Sequence, residues 1–187
     1  MKSMTERTET EELIKMLGDN SPIGVCIIQE GKFCYINPAF LLFTGYSADE
    51  LQGRDASDIV VPEDREMVRE NAIKMLKREL TSAYQFRVAC KDGSTRWVME
   101  TVTSVQYHGR RATLGYYMDI TERKRTEEAL QQSEHNYRTL FDSAVVGTIV
   151  IDAETMKVLT GNQAAARMFG FSSVEEAIGV NPLDFIL

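Results

Sequence analysis

The sequence predicts an α+β domain, one antiparallel sheet with its helices on one face, followed by a helical connector and an incomplete second copy of the same domain. Three observations predict it. Two short strand patterns and a run of helix signals precede three long strand patterns separated by hairpin turns. Residues 21–60 find a counterpart in residues 144–186. Between the copies lies a polar stretch with apolar residues at seven-residue spacing.

Each element has its own signal. Thr8-x-x-Glu11 is a capping box and predicts a short helix to about Leu17, with Leu13, Ile14 and Leu17 on its apolar face. Residues 23–28 read as a strand ended by Glu30-Gly31, and residues 33–36 return as its hairpin partner. Pro38 opens a helix carrying Phe40, Leu41 and Phe43, and Gly45 ends it. Ser47-x-x-Glu50 is a second capping box, for a short helical turn that stops at Gly53; the second copy keeps the device at Ser172-x-x-Glu175. Pro62 starts the longest helix, expected to end near Leu80, with Val68, Ala72 and Leu76 on one face. Strands are expected at 82–90, 95–107 and 111–120, joined by Lys91-Asp92-Gly93-Ser94 and His108-Gly109.

The repeat is specific. Gly24 matches Gly147, Asn37 matches Asn162, Gly45-Tyr46-Ser47 matches Gly170-Phe171-Ser172, Gly53 matches Gly179 and Asp58 matches Asp184. A period of roughly 125 residues is too long for a solenoid and suits tandem domains. The expected organisation is a tail at 1–9, a first domain at 10–121, a connector at 122–136 and the N-terminal part of a second domain at 137–187. The second copy stops where the first has reached about Val60, so more than half of that unit is expected to be missing. A hairpin without its sheet is marginal in water, and residues after about Ala144 are expected to be mobile or ordered by a partner. In the connector, Leu130, Tyr137 and Ala144 recur at seven, a weak heptad that suits pairing with its own copy. A solvated monomeric linker helix satisfies the same pattern.

Composition narrows the function. The net charge of -7 argues against a nucleic-acid-binding face. The basic run Arg123-Lys124-Arg125 is followed by Glu127 and Glu128 and reads as a solvated helix surface. The first twelve residues are polar and hold no signal peptide, and the apolar run at 145–151 is far short of the roughly 20 residues a membrane helix needs. A cytoplasmic location without membrane contact is expected. Cys26, Cys34 and Cys90 show no metal or redox spacing and read as buried free thiols. No phosphate loop, nucleophile elbow or His-x-x-x-His pair is present, and no catalytic residue is expected.

Tyr35-Ile-Asn-Pro-Ala-Phe40, Gly45-Tyr46-Ser-x-x-Glu50-Leu51-x-Gly53, Pro62-Glu63-Asp64, Lys91-Asp92-Gly93-x-x-Arg96-Trp97-Val98 and Gly115-x-x-x-Asp119-Ile120-Thr121-Glu122-Arg123-Lys124 follow one another in order. Together they resemble the PAS family in its bacterial S-box form with the C-terminal PAC motif. The resemblance implies a cupped five-stranded antiparallel sheet with a pocket between sheet and helices. It implies sensing of a ligand, redox state or light, or dimerisation, with strain passed to the following helix. It makes Asp119 and Thr121 the candidates for signal transmission.

The resemblance also bears on cofactors. Haem-binding members carry a histidine on the long helix, and residues 62–80 have none; the histidines are His108 and His135. This argues against haem and leaves Met or Cys ligation open. The photoreactive cysteine of flavin photosensors is absent from residues 53–60, which excludes covalent flavin photochemistry and leaves a non-covalent ligand open. His135 lacks the acidic residue that follows a kinase phosphoacceptor. By position, Asn37, Phe40, Phe43, Met75, Phe86, Met99, Tyr116 and Met118 are the pocket candidates, each of which also suits a plain core. The expected function is the input module of a sensor such as a histidine kinase, a diguanylate cyclase or a transcriptional regulator. A ligand-free dimerisation scaffold is the alternative. A homodimer through the connector or the N-terminal helix is expected.

Overall fold

The computed structural model describes residue 16 and residues 18–185, so the helix expected from Thr8 lies almost wholly outside the described residues. The described chain forms two compact units that part between Lys124 and Arg125.

In the first unit β1 (Gly24–Gln29) and β2 (Lys32–Ile36) form a hairpin whose Glu30 and Gly31 both hold positive φ, 52° and 80°. That mirror-image turn matches the natural twist of paired strands. The same device joins β4 (Thr95–Tyr107) to β5 (Arg110–Asp119), with His108 at 48° and Gly109 at 76°. With β3 (Tyr84–Ala89) the five strands make one antiparallel sheet in the order β2-β1-β5-β4-β3.

Between β2 and β3 run α1 (Pro38–Thr44), α2 (Ala48–Leu51), two 3-10 turns (Ala56–Ile59 and Pro62–Asp64) and α3 (Arg65–Leu76). Pro38 and left-handed Gly45 bound α1, and the Ser47 N–H donates to Glu50 across the expected capping box. The long helix is shorter than expected. Its first turn is 3-10, because the Asp64 carboxylate is drawn out to take three hydrogen bonds from Arg87 on β3, at 2.7, 2.9 and 2.9 Å. Its end falls at Leu76, where the chain reverses through Arg78 at φ 63°.

The core lies between the helices and the inner face of the sheet. Phe33, Phe40, Leu51, Val88 and Val98 are fully buried there. Burial of each such side chain contributes about 1.5–3 kcal/mol. Gly24 and Gly115 admit close approach: a Cβ on Gly24 would lie 2.9 Å from the rings of Phe40 and Phe43, and one on Gly115 2.8 Å from the Tyr117 ring.

After β5 the helix α4 (Thr121–Ser143) runs into the second unit. There β6 (Ile149–Ile151) and β7 (Val158–Gly161) form a hairpin, followed by α5 (Gln163–Met168) and α6 (Val174–Ala177). The repeat is visible in detail. Each hairpin has a register shift at the matching place, Ile27/Ile28 and Val150/Ile151. One detail differs from expectation. The N-cap of α6 is Ser173, and the Ser172 N–H donates to Glu176 rather than Glu175.

Candidate functional site

A cavity of about 730 Å³ lies in the first unit, walled by the inner sheet face, α3 and the 3-10 turn at Ala56–Ile59. Strand alternation decides what enters it. On β4, Val98, Glu100 and Val102 point inward and are buried. The cross-strand register then sets Tyr84 and Tyr117 on either side of Glu100. Glu100 is 4 % exposed, and the Tyr84 hydroxyl donates to its Oε2. Burial pushes the Glu100 carboxyl above the ordinary glutamate value, although hydrogen bonds from Tyr117 and Tyr84 pull it back. Burial, with the nearby Glu100, raises both phenols, so they act as donors that keep their protons. The thiol of Cys26, also inward and fully buried, is raised by the same burial and is chemically quiet.

The anticipated pocket residues other than Asn37 divide into three groups. Phe86 lines the cavity. Phe40, Phe43 and Met75 pack in the core beside it: Phe40 meets Phe43 edge-on at 5.0 Å and Tyr117 at 4.9 Å, while the Met75 sulfur accepts the Val102 N–H at 3.0 Å. Met99, Tyr116 and Met118 lie together on the opposite face, with Tyr116 39 % and Met118 43 % exposed. The parity of β5 turns them away, and Tyr117 takes the inward place. Glu100, Tyr84 and Tyr117 were not anticipated. The signal that marks Glu100 is its position midway between Val98 and Val102 in an alternating strand.

Asn37 is fully buried at the foot of α1 and spends every polar atom on the backbone. Its Oδ1 accepts from Val25 N at 2.8 Å and Phe40 N at 3.0 Å, and its Nδ2 donates to the Gly18 and Ile23 carbonyls at 2.9 Å each. Asn162 repeats this in the second unit, bonding Thr148 N, Ala165 N and the Val146 carbonyl.

The junction from β5 into α4 is stitched to β4. Asp119 Oδ1 caps the Thr121 N–H at 2.9 Å, and Oδ2 pairs with Arg96 at 2.7 Å. Burial would raise the Asp119 carboxyl, but the bonds from Thr121 and Arg96 outweigh it and hold it below the ordinary value. Thr121, itself buried, accepts the Trp97 N–H at 3.0 Å, and the Ile120 N–H donates to the Trp97 carbonyl at 2.9 Å. The Arg87 and Lys124 cations both lie over the Trp97 ring, at 5.8 and 5.3 Å from its centroid. His108 stacks edge-on against Tyr107 in the β4–β5 turn, and His135 lies on α4. Among the described residues no group of side chains could hold a metal ion, and no helix is long and apolar enough to cross a membrane.

Comparison with known proteins agrees with this geometry. Residues 33–115 match the family model described as PAS fold, and residues 135–187 match the one described as PAS domain. The chain is 26% identical over 169 residues to sporulation kinase A of Bacillus subtilis, covering 90% of this chain and 28% of that protein. It is 34% identical over 123 residues to the sensor protein FixL of Bradyrhizobium diazoefficiens, covering 64% of this chain and 24% of that protein. A crystal structure described as a sensory box histidine kinase/response regulator from Burkholderia thailandensis superposes with a TM-score of 0.51 at 25% identity, over 70% of this chain and 98% of that one. The chain thus spans under a third of the length of these two curated relatives.

Proposed function

The chain belongs to the PAS domain family and is similar to the input regions of sensor histidine kinases; from that premise we propose that its first unit is a cytoplasmic sensor module in which cavity occupancy is relayed through β4 into α4. The observation that carries this reading is the bond from Trp97 N–H to Thr121. Trp97 lies three residues along β4 from Glu100, so about 10 Å of one strand joins cavity to helix. A ligand that shifts β4 bears directly on the cap of α4. Asp119 and Thr121 are the transmitting residues of this reading, and it carries no catalytic residue. The domain at 10–121, the connector at 122–136 and the second domain at 137–187 are its parts.

Dimerisation without a ligand is the second reading. Leu130, Tyr137 and Leu140 stand exposed along α4 at 60, 64 and 72 %, which suits pairing with the same helix of another copy. A native mass spectrum of the purified chain, set against its denatured mass, separates the two. An added small-molecule mass is expected for the sensor. A clean dimer mass that no ligand-rich extract changes refutes it in favour of the scaffold.

A further inference from the structure

We propose that the first-unit cavity binds a small amine with a flat apolar body, its N–H group received by the Glu100 carboxyl; this rests on the sensor reading and adds the ligand class. The walls are apolar where a ring would lie, with Phe33, Phe86, Val88 and Leu76 facing the space. Its floor includes Glu100 and Tyr117, with Tyr84 bonded to Glu100 from behind the lining. A carboxyl has two oxygens with about four acceptor positions, and two phenols leave some of them unused. What this floor lacks is a third donor, and an amine supplies one. A ligand carboxylate would meet Glu100 as a like group in a dry site. The mouth carries both signs, Arg65 and Arg69 with Asp55 and Glu66, and selects neither. Arg65 is engaged with the Val60 and Asp58 carbonyls at 3.1 and 3.5 Å. Glu100 is buried yet lines the cavity, so its carboxyl is a polar group that a ligand in that space can reach.

The test holds the ring constant and changes the head group. Tryptamine, indole-3-ethanol and indole-3-propionate are titrated into the full chain while the NMR signals of Val88 and Val102 are followed. Tryptamine is expected to shift both and to bind at least about tenfold tighter than the alcohol, with the propionate weaker still. Glu100→Gln is expected to bring tryptamine to within about threefold of the alcohol. Ala72→Phe, which fills the cavity from α3 and leaves the Glu100 side chain itself unchanged, is expected to abolish all three, and it locates the site even if the Glu100 variant does not fold. The proposal is overturned if the alcohol or the propionate equals tryptamine, if tryptamine binding survives Ala72→Phe, or if no member of the series shifts either valine. The last result refutes the amine and not the relay, which the native mass spectrum tests separately.

Discussion

Replacing Asn37 by alanine is expected to cost the first unit about 2–4 kcal/mol. The figure follows from what the side chain holds. Removing it orphans the N–H groups of Val25 and Phe40, while the Gly18 carbonyl keeps a bond from the Ser21 N–H at 3.0 Å and the Ile23 carbonyl one from the Ser21 hydroxyl at 3.1 Å. Each buried orphan costs about 1–3 kcal/mol, and a water admitted to the vacated space offsets part of the sum. Against a total stability of about 5–15 kcal/mol this is a large fraction. Trp97 is the only tryptophan, and it reports on this unit in urea unfolding followed by fluorescence. Asn37→Asp sharpens the test. It keeps the acceptors but sets a carboxylate against two carbonyls, so its folded-state pKa is raised. Its cost is therefore absent below the unfolded-state value and grows as pH rises through the folded one. A loss below about 1 kcal/mol for Asn37→Ala, or an Asn37→Asp protein as stable at neutral pH as the parent, would refute this account of the bond network.

Three further outcomes are expected. Thr121→Val should cost about 1 kcal/mol and speed hydrogen exchange at the Trp97 amide, with Thr121→Ser restoring protection; unchanged exchange would remove the stitch between β4 and α4. Gly24→Ala should destabilise by about 1–3 kcal/mol, since its methyl would sit 2.9 Å from two phenylalanine rings, and a neutral result in thermal unfolding would contradict that packing. Because burial raises the Glu100 carboxyl, first-unit stability should fall as pH climbs from the ordinary carboxylate range toward that raised value. Glu100→Gln should flatten this limb and Tyr84→Phe should steepen it; a limb unaltered by Glu100→Gln would assign it to another group.

Much of the frame was legible because short-range chemistry dictates it. Glu30-Gly31 and His108-Gly109 lie where a two-residue turn needs left-handed backbone, and Pro38 and Gly45 bracket α1. Asn37 and Asn162 match in the repeat, and both side chains make the same backbone staple, although Asn37 was expected at the pocket. The cavity was harder to read. Leu114, Tyr116, Tyr117 and Met118 are apolar on both sides of β5, so periodicity cannot say which face turns inward. Only the register Glu100↔Tyr117 decides it. The end of α3 was misjudged for a similar reason. Residues 77–80 are compatible with helix, and the reversal at Arg78 answers to the return of the chain toward β3.

The order β2-β1-β5-β4-β3 sets Gly24 beside Tyr117, so the first strand of the unit finds its central neighbour only after nearly all of the unit has been made. On a ribosome that interval is on the order of ten seconds. Through it β1 has β2 on one side and an unsatisfied edge on the other. Closing so long a loop before the contact rewards it slows folding. The nascent hairpin is therefore the stretch of this unit left longest with an unpaired edge, and β5 is the strand whose arrival covers it.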